Sequence, residues 1–293
     1  MTVDNFRQDD QPGATSGGQT ISSGDQKFSY AANGYGAPDV SKPPVEWQGQ
    51  GLSGIKYQII GTVLQAVTME FTHPSQIVYS HSGGMSWMSS GVQMNTNTGG
   101  GIGKMFGRMM SGSTAFVVDF HSPGEPGTIC FTSDAPGKII PILLAQGQNI
   151  IMQKDAFLAA EKSVELDIFL NQKLGAGFFG GEGFILQKFT GPGLCFAQFD
   201  GEIMEYTLQP GQRMLVHPGH VGMFEPTVSF DIQRVKGVTN MLFGGEGIFL
   251  STLTGPGRVW LQTMPMMVLA ARIGHYLPHN SGSGGEGFNI KLG

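Results

Sequence analysis

The sequence predicts an all-β fold: a pseudo-threefold repeat of β-sandwich or β-helix-like units carrying one or two short helices. Three observations lead there. The motifs Gly180-Gly181-Glu182-Gly183 and Thr190-Gly191-Pro192-Gly193 recur as Gly244-Gly245-Glu246-Gly247 and Thr254-Gly255-Pro256-Gly257, both at an offset of 64 residues. An offset shared by two separate motifs means that one supersecondary unit has been copied. Glycine supplies 46 of 293 residues, about double the ~7% of an average chain, and glycine-rich turns between short apolar runs belong to β folds. Finally, apolar and polar residues alternate with period two, as in Val228-Phe230-Ile232 against Ser229-Asp231-Gln233, which is the pattern of a half-buried strand.

Taken in chain order, residues 1–50 are rich in Gly, Ser, Gln, Asp and Pro, and such a stretch has little to bury. A disordered, solubilising arm is expected there, with Phe28, Tyr30, Tyr35 and Trp47 as scattered aromatics that could dock a partner. Residues 51–280 are expected to form the repeat domain, in copies of roughly 57–130, 131–200 and 201–265. The alternation Met204-Tyr206-Leu208 against Ile203-Glu205-Thr207 marks another strand. Ala135-Pro136-Gly137-Lys138, Gln209-Pro210-Gly211-Gln212 and His217-Pro218-Gly219-His220 punctuate the strands. In such turns proline presets φ and glycine supplies a positive φ.

Helices are expected at Ile102–Met110, from the spacing of Met105, Phe106, Met109 and Met110, and from Pro265 to Gly274. A fainter third copy begins at Phe116, where Ser122-Pro123-Gly124 and Cys130-Phe131 parallel Gly191-Pro192-Gly193 and Cys195-Phe196. That alignment makes the two cysteines equivalent core positions. Residues 281–293 form a glycine-rich C-terminal tail.

The motifs that carry chemistry each meet a structural objection. Gly175-Ala176-Gly177-Phe178-Phe179-Gly180 matches a dinucleotide fingerprint, yet the chain continues into a β-like run and not into the helix that a pyrophosphate requires. Gly99–Lys104 lacks the spacing of a phosphate loop and the Ser or Thr after its lysine. The repeated glycine-glutamate element argues against a single active site. Gly180, Gly181, Glu182 and Gly183, with Gly244, Gly245, Glu246 and Gly247, are read as a structural turn. Its carboxylate accepts neighbouring backbone N–H groups, the alternative being a ring of equivalent carboxylates that binds cations or a partner's basic groups.

Among seven histidines, His217 with His220 and His275 with His279 are the candidate metal pairs, at a spacing looser than that of structural zinc sites. Gly112-Ser113-Thr114 and Ser281-Gly282-Ser283 lack a nucleophile elbow. The reading therefore names no catalytic residue, no cofactor and no metal.

Net charge −5 with only 17 Lys plus Arg offers no broad basic field, so duplex nucleic acid is not an expected partner. Cys130 and Cys195 sit in apolar runs, as buried free thiols do in a reducing compartment. The N-terminus resembles neither a secretory signal nor an Arg-rich presequence, and no run reaches the ~18 apolar residues of a membrane span. The expected location is soluble and cytoplasmic.

Several segments together resemble the altered-inheritance-of-mitochondria protein 24 family, whose domain is grouped with the tryptophan RNA-binding attenuator protein-like fold. They run from about Gly61 to Pro265: Met88-Ser89-Ser90-Gly91-Val92 with Thr98–Gly101, Asp155–Ala159, Gly180–Pro218, and Phe243–Gly247 through Trp260–Pro265. The resemblance implies a pseudo-threefold all-β assembly and no established catalysis. It associates the mitochondrial members with inner-membrane organisation, so a mitochondrial location is the alternative. Fold alone licenses neither RNA nor tryptophan binding. The functional expectation is a non-enzymatic structural or scaffold protein, acting as a homo-oligomer, in a protein complex or through peripheral membrane contact. The alternative is a module that binds a small molecule or single-stranded RNA.

Overall fold

The computed structural model describes residues 20–23, 26–29, 45–96, 117–124, 126–172, 183–234 and 249–276. The chain divides into two units, Met1–Pro43 and Pro44–Gly293. In the first, β1 (Thr20–Ser23) and β2 (Gln26–Ser29) form an antiparallel hairpin. The second begins with β3 (Val45–Gln50), ahead of the boundary expected from composition, paired with β4 (Lys56–Ile60).

Among the described residues, six strands then follow in each of three successive stretches. The first holds β5 (Ala66–Phe71), β6 (Ile77–His81), β7 (Met85–Met88), β8 (Gln93–Thr96), β9 (Val117–His121) and β10 (Gly127–Thr132). The second holds β11 (Gly137–Leu144), β12 (Asn149–Gln153), β13 (Phe157–Glu161), β14 (Glu165–Gln172), β15 (Phe184–Thr190) and β16 (Gly193–Asp200). The third holds β17 (Ile203–Leu208), β18 (Arg213–Val216), β19 (Val221–Phe224), β20 (Ser229–Arg234), β21 (Phe249–Thr254) and β22 (Gly257–Gln262), and α1 (Met266–Tyr276) closes the described chain.

The pairing is antiparallel, in sheets ordered β3-β4-β5-β10-β7, β11-β16-β13-β6-β9-β8, β14-β15-β12-β19-β22-β17 and β18-β21-β20. The first, sixth and third strands of a stretch lie together, and its fourth, fifth and second strands lie together in the next sheet. Neighbouring stretches meet where the second strand of one pairs with the third strand of the next. These joints are β6 with β13, through Tyr79↔Ala160 and Ser80↔Ala159, and β12 with β19, through Ile151↔Phe224 and Met152↔Met223.

The inner strands of the two middle sheets, β13, β15, β16 and β19, are covered on both faces, so they are buried along nearly their whole length and do not alternate. In β16, Leu194 and Phe196 enter one core with Ile129 and Phe131, while Cys195, Ala197 and Phe199 enter the next with Ile185 and Phe189. A third core joins Ile151, Phe184 and Leu186 to Val216, Ile232 and Leu253 of the last sheet. Burying one such phenylalanine side chain contributes roughly 1.5–3 kcal/mol.

The sequence expectations divide here. The fold is all-β, and the alternation at β20 is seen in the buried Ile232 against the exposed Ser229, Asp231 and Gln233. Gly211 takes φ 75°, and the Gln212 N–H donates to the Gln209 carbonyl, as the Pro-Gly turn requires. Gly137 differs: it opens β11 where a Cβ would run into the Phe199 carbonyl oxygen, so close strand approach, not positive φ, selects glycine there. Gly219 lies in the 3-10 turn Pro218–His220.

The cysteines are both buried but are not equivalent. Cys130 pairs with Trp87, in the place where Phe196 pairs with Ala159, whereas Cys195 pairs with Ala160 as Ile129 does with Met88. One residue of register puts them on opposite sheet faces. Helix α1 starts as expected but runs past Gly274, which nothing crowds and which a helix interior tolerates. The expected helix at 102–110 lies outside the described residues.

Candidate functional site

The polar side chains that the fold gathers are spent on its corners. Glu161, at the end of β13, is 1% exposed. Its carboxylate accepts the N–H groups of Leu194 at 2.7 Å, Ser53 at 2.8 Å and Leu52 at 3.1 Å, together with the Ser53 hydroxyl. It thereby ties the turn after β3 to the start of β16, and a Cβ at Gly51 would collide with it. Three backbone donors on one carboxylate form a charge-assisted set that replaces its lost water.

The same position recurs. Glu225, opening the turn after β19, accepts the Arg258 N–H at 2.9 Å and pairs with the Arg258 guanidinium at 2.8 Å. In the first stretch the Ser89 hydroxyl accepts the Thr128 N–H at 3.0 Å. Each is followed three residues later by a valine whose N–H donates to its carbonyl: Val92, Val164 and Val228. All three valines are buried.

Other contacts repeat between the second and third stretches. Gln198 and Gln262 each accept a backbone N–H, from Asp134 and Asp200, and each donates to a carbonyl, of Asp155 and Gly219. Gly191 and Gly255 each donate to the carbonyl of a glutamine, Gln148 and Gln212, at 2.9 Å. Gly193 (φ 147°) and Gly257 (φ 141°) hold conformations that a side chain disfavours, each with a valine methyl where a Cβ would stand.

Of the turn motif singled out in the sequence, Gly183 is described, with φ 91° at the entry to β15. Gly180, Gly181, Glu182, Gly244, Gly245, Glu246 and Gly247 lie outside the described residues, as do the glycine motifs at 99–104 and 175–180. The corner carboxylates that the structure does show, Glu161 and Glu225, escaped notice in the sequence. Their signal is present: Glu161-Lys162-Ser163-Val164 and Glu225-Pro226-Thr227-Val228 share the offset of 64 residues.

A cleft of about 1010 Å³ lies where β11 approaches β17, β19 and β22. Trp260 donates its indole N–H to Glu205 at 2.8 Å, and the Arg258 guanidinium lies 5.0 Å from the Trp260 ring centroid. Glu202, Glu205 and Glu225 outnumber Arg258 and Lys138 on the walls, so the cleft suits a small polar or cationic group better than a phosphate chain.

His217 and His220 stand edge to face at 5.8 Å, and His220 Nδ1 lies 2.7 Å from the Gln262 carbonyl. Burial, then the neighbouring His220, lowers the pKa of His217. The His275 side chain and His279 lie outside the described residues. Among the described residues, no group of three His, Cys, Asp or Glu is placed to hold a metal ion. Burial raises the pKa of both thiols: that of Cys195 is driven far up, with Glu161 adding to the effect, and at Cys130 a hydrogen bond from Thr68 partly offsets the rise. Burial raises that of Asp200 as well, against the lowering effect of the Met266 N–H, which Asp200 accepts at the start of α1. No helix among the described residues is long and apolar enough to cross a membrane.

Residues 57–264 match the family described as Mitochondrial biogenesis AIM24. An uncharacterised protein of Streptococcus pyogenes serotype M6 is 29% identical over 212 residues, covering 70% of this chain and 84% of its own. A crystal structure of another Streptococcus pyogenes protein superposes with a TM-score of 0.61 at 24% identity, covering 76% of this chain and all of that one. That likeness bears on the fold.

Proposed function

Because the chain belongs to the mitochondrial biogenesis AIM24 family, we propose that it works in a process of that kind as a non-enzymatic scaffold, through contacts with other chains or with a membrane-bound complex. We read its three stretches as copies of one six-stranded unit, set in a pseudo-threefold arrangement. The observation that carries the functional reading is where the polar and apolar groups are used. Glu161, Gln198, Gln262 and Asp200 are committed to backbone groups of a neighbouring strand, of two 3-10 turns and of the start of α1. Large apolar side chains meanwhile stand in solvent on the outer strands, among them Trp87 and Leu215. Apolar groups left outside while polar groups hold the interior together describe a body made to be bound.

The bacterial relative favours a role that does not depend on an organelle, and a soluble, cytoplasmic location is part of the proposal for this chain. Size-exclusion chromatography with light scattering and flotation on phosphatidylcholine and cardiolipin vesicles test the reading together. An assembly, or protein floating with either vesicle, is expected. A strict 31.3 kDa monomer that ignores both vesicles would overturn it.

The cleft around Trp260 favours a second reading, a small-molecule module. Its acidic wall suits an amine or a neutral polar ligand, and single-stranded RNA would meet like charge there. A stabilising hit in a thermal-shift screen of amines, amino acids and nucleotides would support it.

A further inference from the structure

Every stretch offers two joining strands, but the terminal stretches each leave one of theirs without a partner strand among the described residues. Within the chain the second strand of a stretch pairs with the third strand of the next: β6 with β13, and β12 with β19. The third strand of the first stretch, β7, is an edge of its sheet, and the second strand of the last stretch, β18, is an edge of its own. They are complementary halves of the joint that the chain makes twice.

Burial separates used joints from unused ones. Residues of β13 and β19 are buried throughout, and β6 and β12 are buried except at their ends. In contrast, Trp87 of β7 is 56% exposed and Leu215 of β18 is 65% exposed. Leu215 occupies the position of Ile151 in β12 and Tyr79 in β6, both buried in the core of the following layer. Trp87 occupies the position of Ala159 in β13 and Met223 in β19, again both buried. Even the irregularity matches, since β7, β13 and β19 each shift register at the same point against β10, β16 and β22.

We propose that β18 of one copy pairs antiparallel with β7 of a second copy, repeating the internal joint, with Leu215 opposite Met88 and Val216 opposite Trp87. This rests on the scaffold reading and specifies it: the partner is another copy of this chain, joined head to tail. The register follows from the two internal joints, where Ile151 faces Phe224 and Tyr79 faces Ala160, while Met152 faces Met223 and Ser80 faces Ala159. The three-stranded sheet β18-β21-β20 then continues into the β7-β10-β5-β4-β3 sheet of the neighbour, and Leu215 enters the core that holds Met88. Because the two surfaces differ, the contact is heterologous, so it builds a ring if the rotation closes and a filament if it does not.

The test uses the full chain. Leu215→Cys protein is mixed with Met88→Cys protein, and disulfide-linked dimers are counted on a non-reducing gel, since directly opposed residues of an antiparallel pair have Cβ atoms about 4.5–5.5 Å apart, near the span of a disulfide. The mixture is expected to cross-link and each variant alone is not. As a second arm, Leu215→Lys and Trp87→Lys, both at exposed positions and so compatible with folding, are expected to weaken self-association at least about tenfold with an unchanged far-ultraviolet circular dichroism spectrum.

An assembly that forms without this cross-link and survives both lysine variants would overturn the β18–β7 joint while leaving the scaffold reading in place. A cross-link within a single chain carrying both cysteines would overturn it in favour of intramolecular closure. A monomer at every concentration would overturn self-association itself, and vesicle flotation of that monomer would then decide whether the scaffold reading stands.

Discussion

Replacing Glu161 by alanine removes one carboxylate and leaves four donors without their acceptor. The Leu194 N–H is buried and cannot recover a water partner, so it contributes the full loss of an unsatisfied buried donor, about 1–3 kcal/mol. The Leu52 N–H, the Ser53 N–H and the Ser53 hydroxyl are nearer solvent and together lose about 2 kcal/mol in charge-assisted bonding, because water replaces part of it. The sum is about 3–5 kcal/mol, or a fall in Tm on the order of 10 °C for a body of this size.

Glu161→Gln keeps one acceptor oxygen but turns an amide toward the other donors, and is expected to lose about half as much. Glu225→Ala is the control. Its partner Arg258 has a half-exposed side chain, and the loss there is held to about 1 kcal/mol by solvent screening. Urea unfolding followed by tryptophan fluorescence and circular dichroism measures all three. A Glu161→Ala variant within 1 kcal/mol of Glu225→Ala would refute the reasoning that the buried corner is held by this carboxylate.

Three further outcomes follow from the same geometry. With both thiols buried and their pKa values raised, neither Cys130 nor Cys195 is expected to react with Ellman's reagent in native protein, and both should react at the rate of global unfolding in denaturant. His217 has a pKa lowered below 6.5 in the folded chain. The unfolded chain therefore takes up that proton first, and stability present above the unfolded value is lost as pH falls through it toward the folded one. His217→Asn should remove that part of the loss, seen as a flatter dependence of Tm on pH between about 7 and 5. Asp200→Ala deprives the Met266 N–H of its acceptor, which should cost about 1 kcal/mol and speed proteolysis within α1 before the sheets are cut.

Strand chemistry was legible in the sequence because it is local. Alternation located β20, and Pro-Gly spacing located the turn at Gln209–Gln212. The middle sheets were harder to read, since β13 and β16 are covered on both faces and carry no alternation to detect. Gly137 was legible as a glycine position but not in its cause, because the crowding carbonyl of Phe199 lies on another strand. Glu161 was missed for a similar reason. Its donors at Leu52 and Ser53 are over one hundred positions away, and only its 64-residue echo at Glu225 could have drawn attention to it. The cysteines misled because equal burial does not mean equal register.

We propose that the outer strands join copies as the inner strands join successive stretches. Hydrogen–deuterium exchange across a concentration series tests it most directly. Amides of β7 and β18 should gain protection as concentration rises, approaching that of β6 and β12, while other edges such as β11 and β17 stay unchanged. Exchange at β7 and β18 that is fast and independent of concentration, with the mass constant at 31.3 kDa, would contradict it.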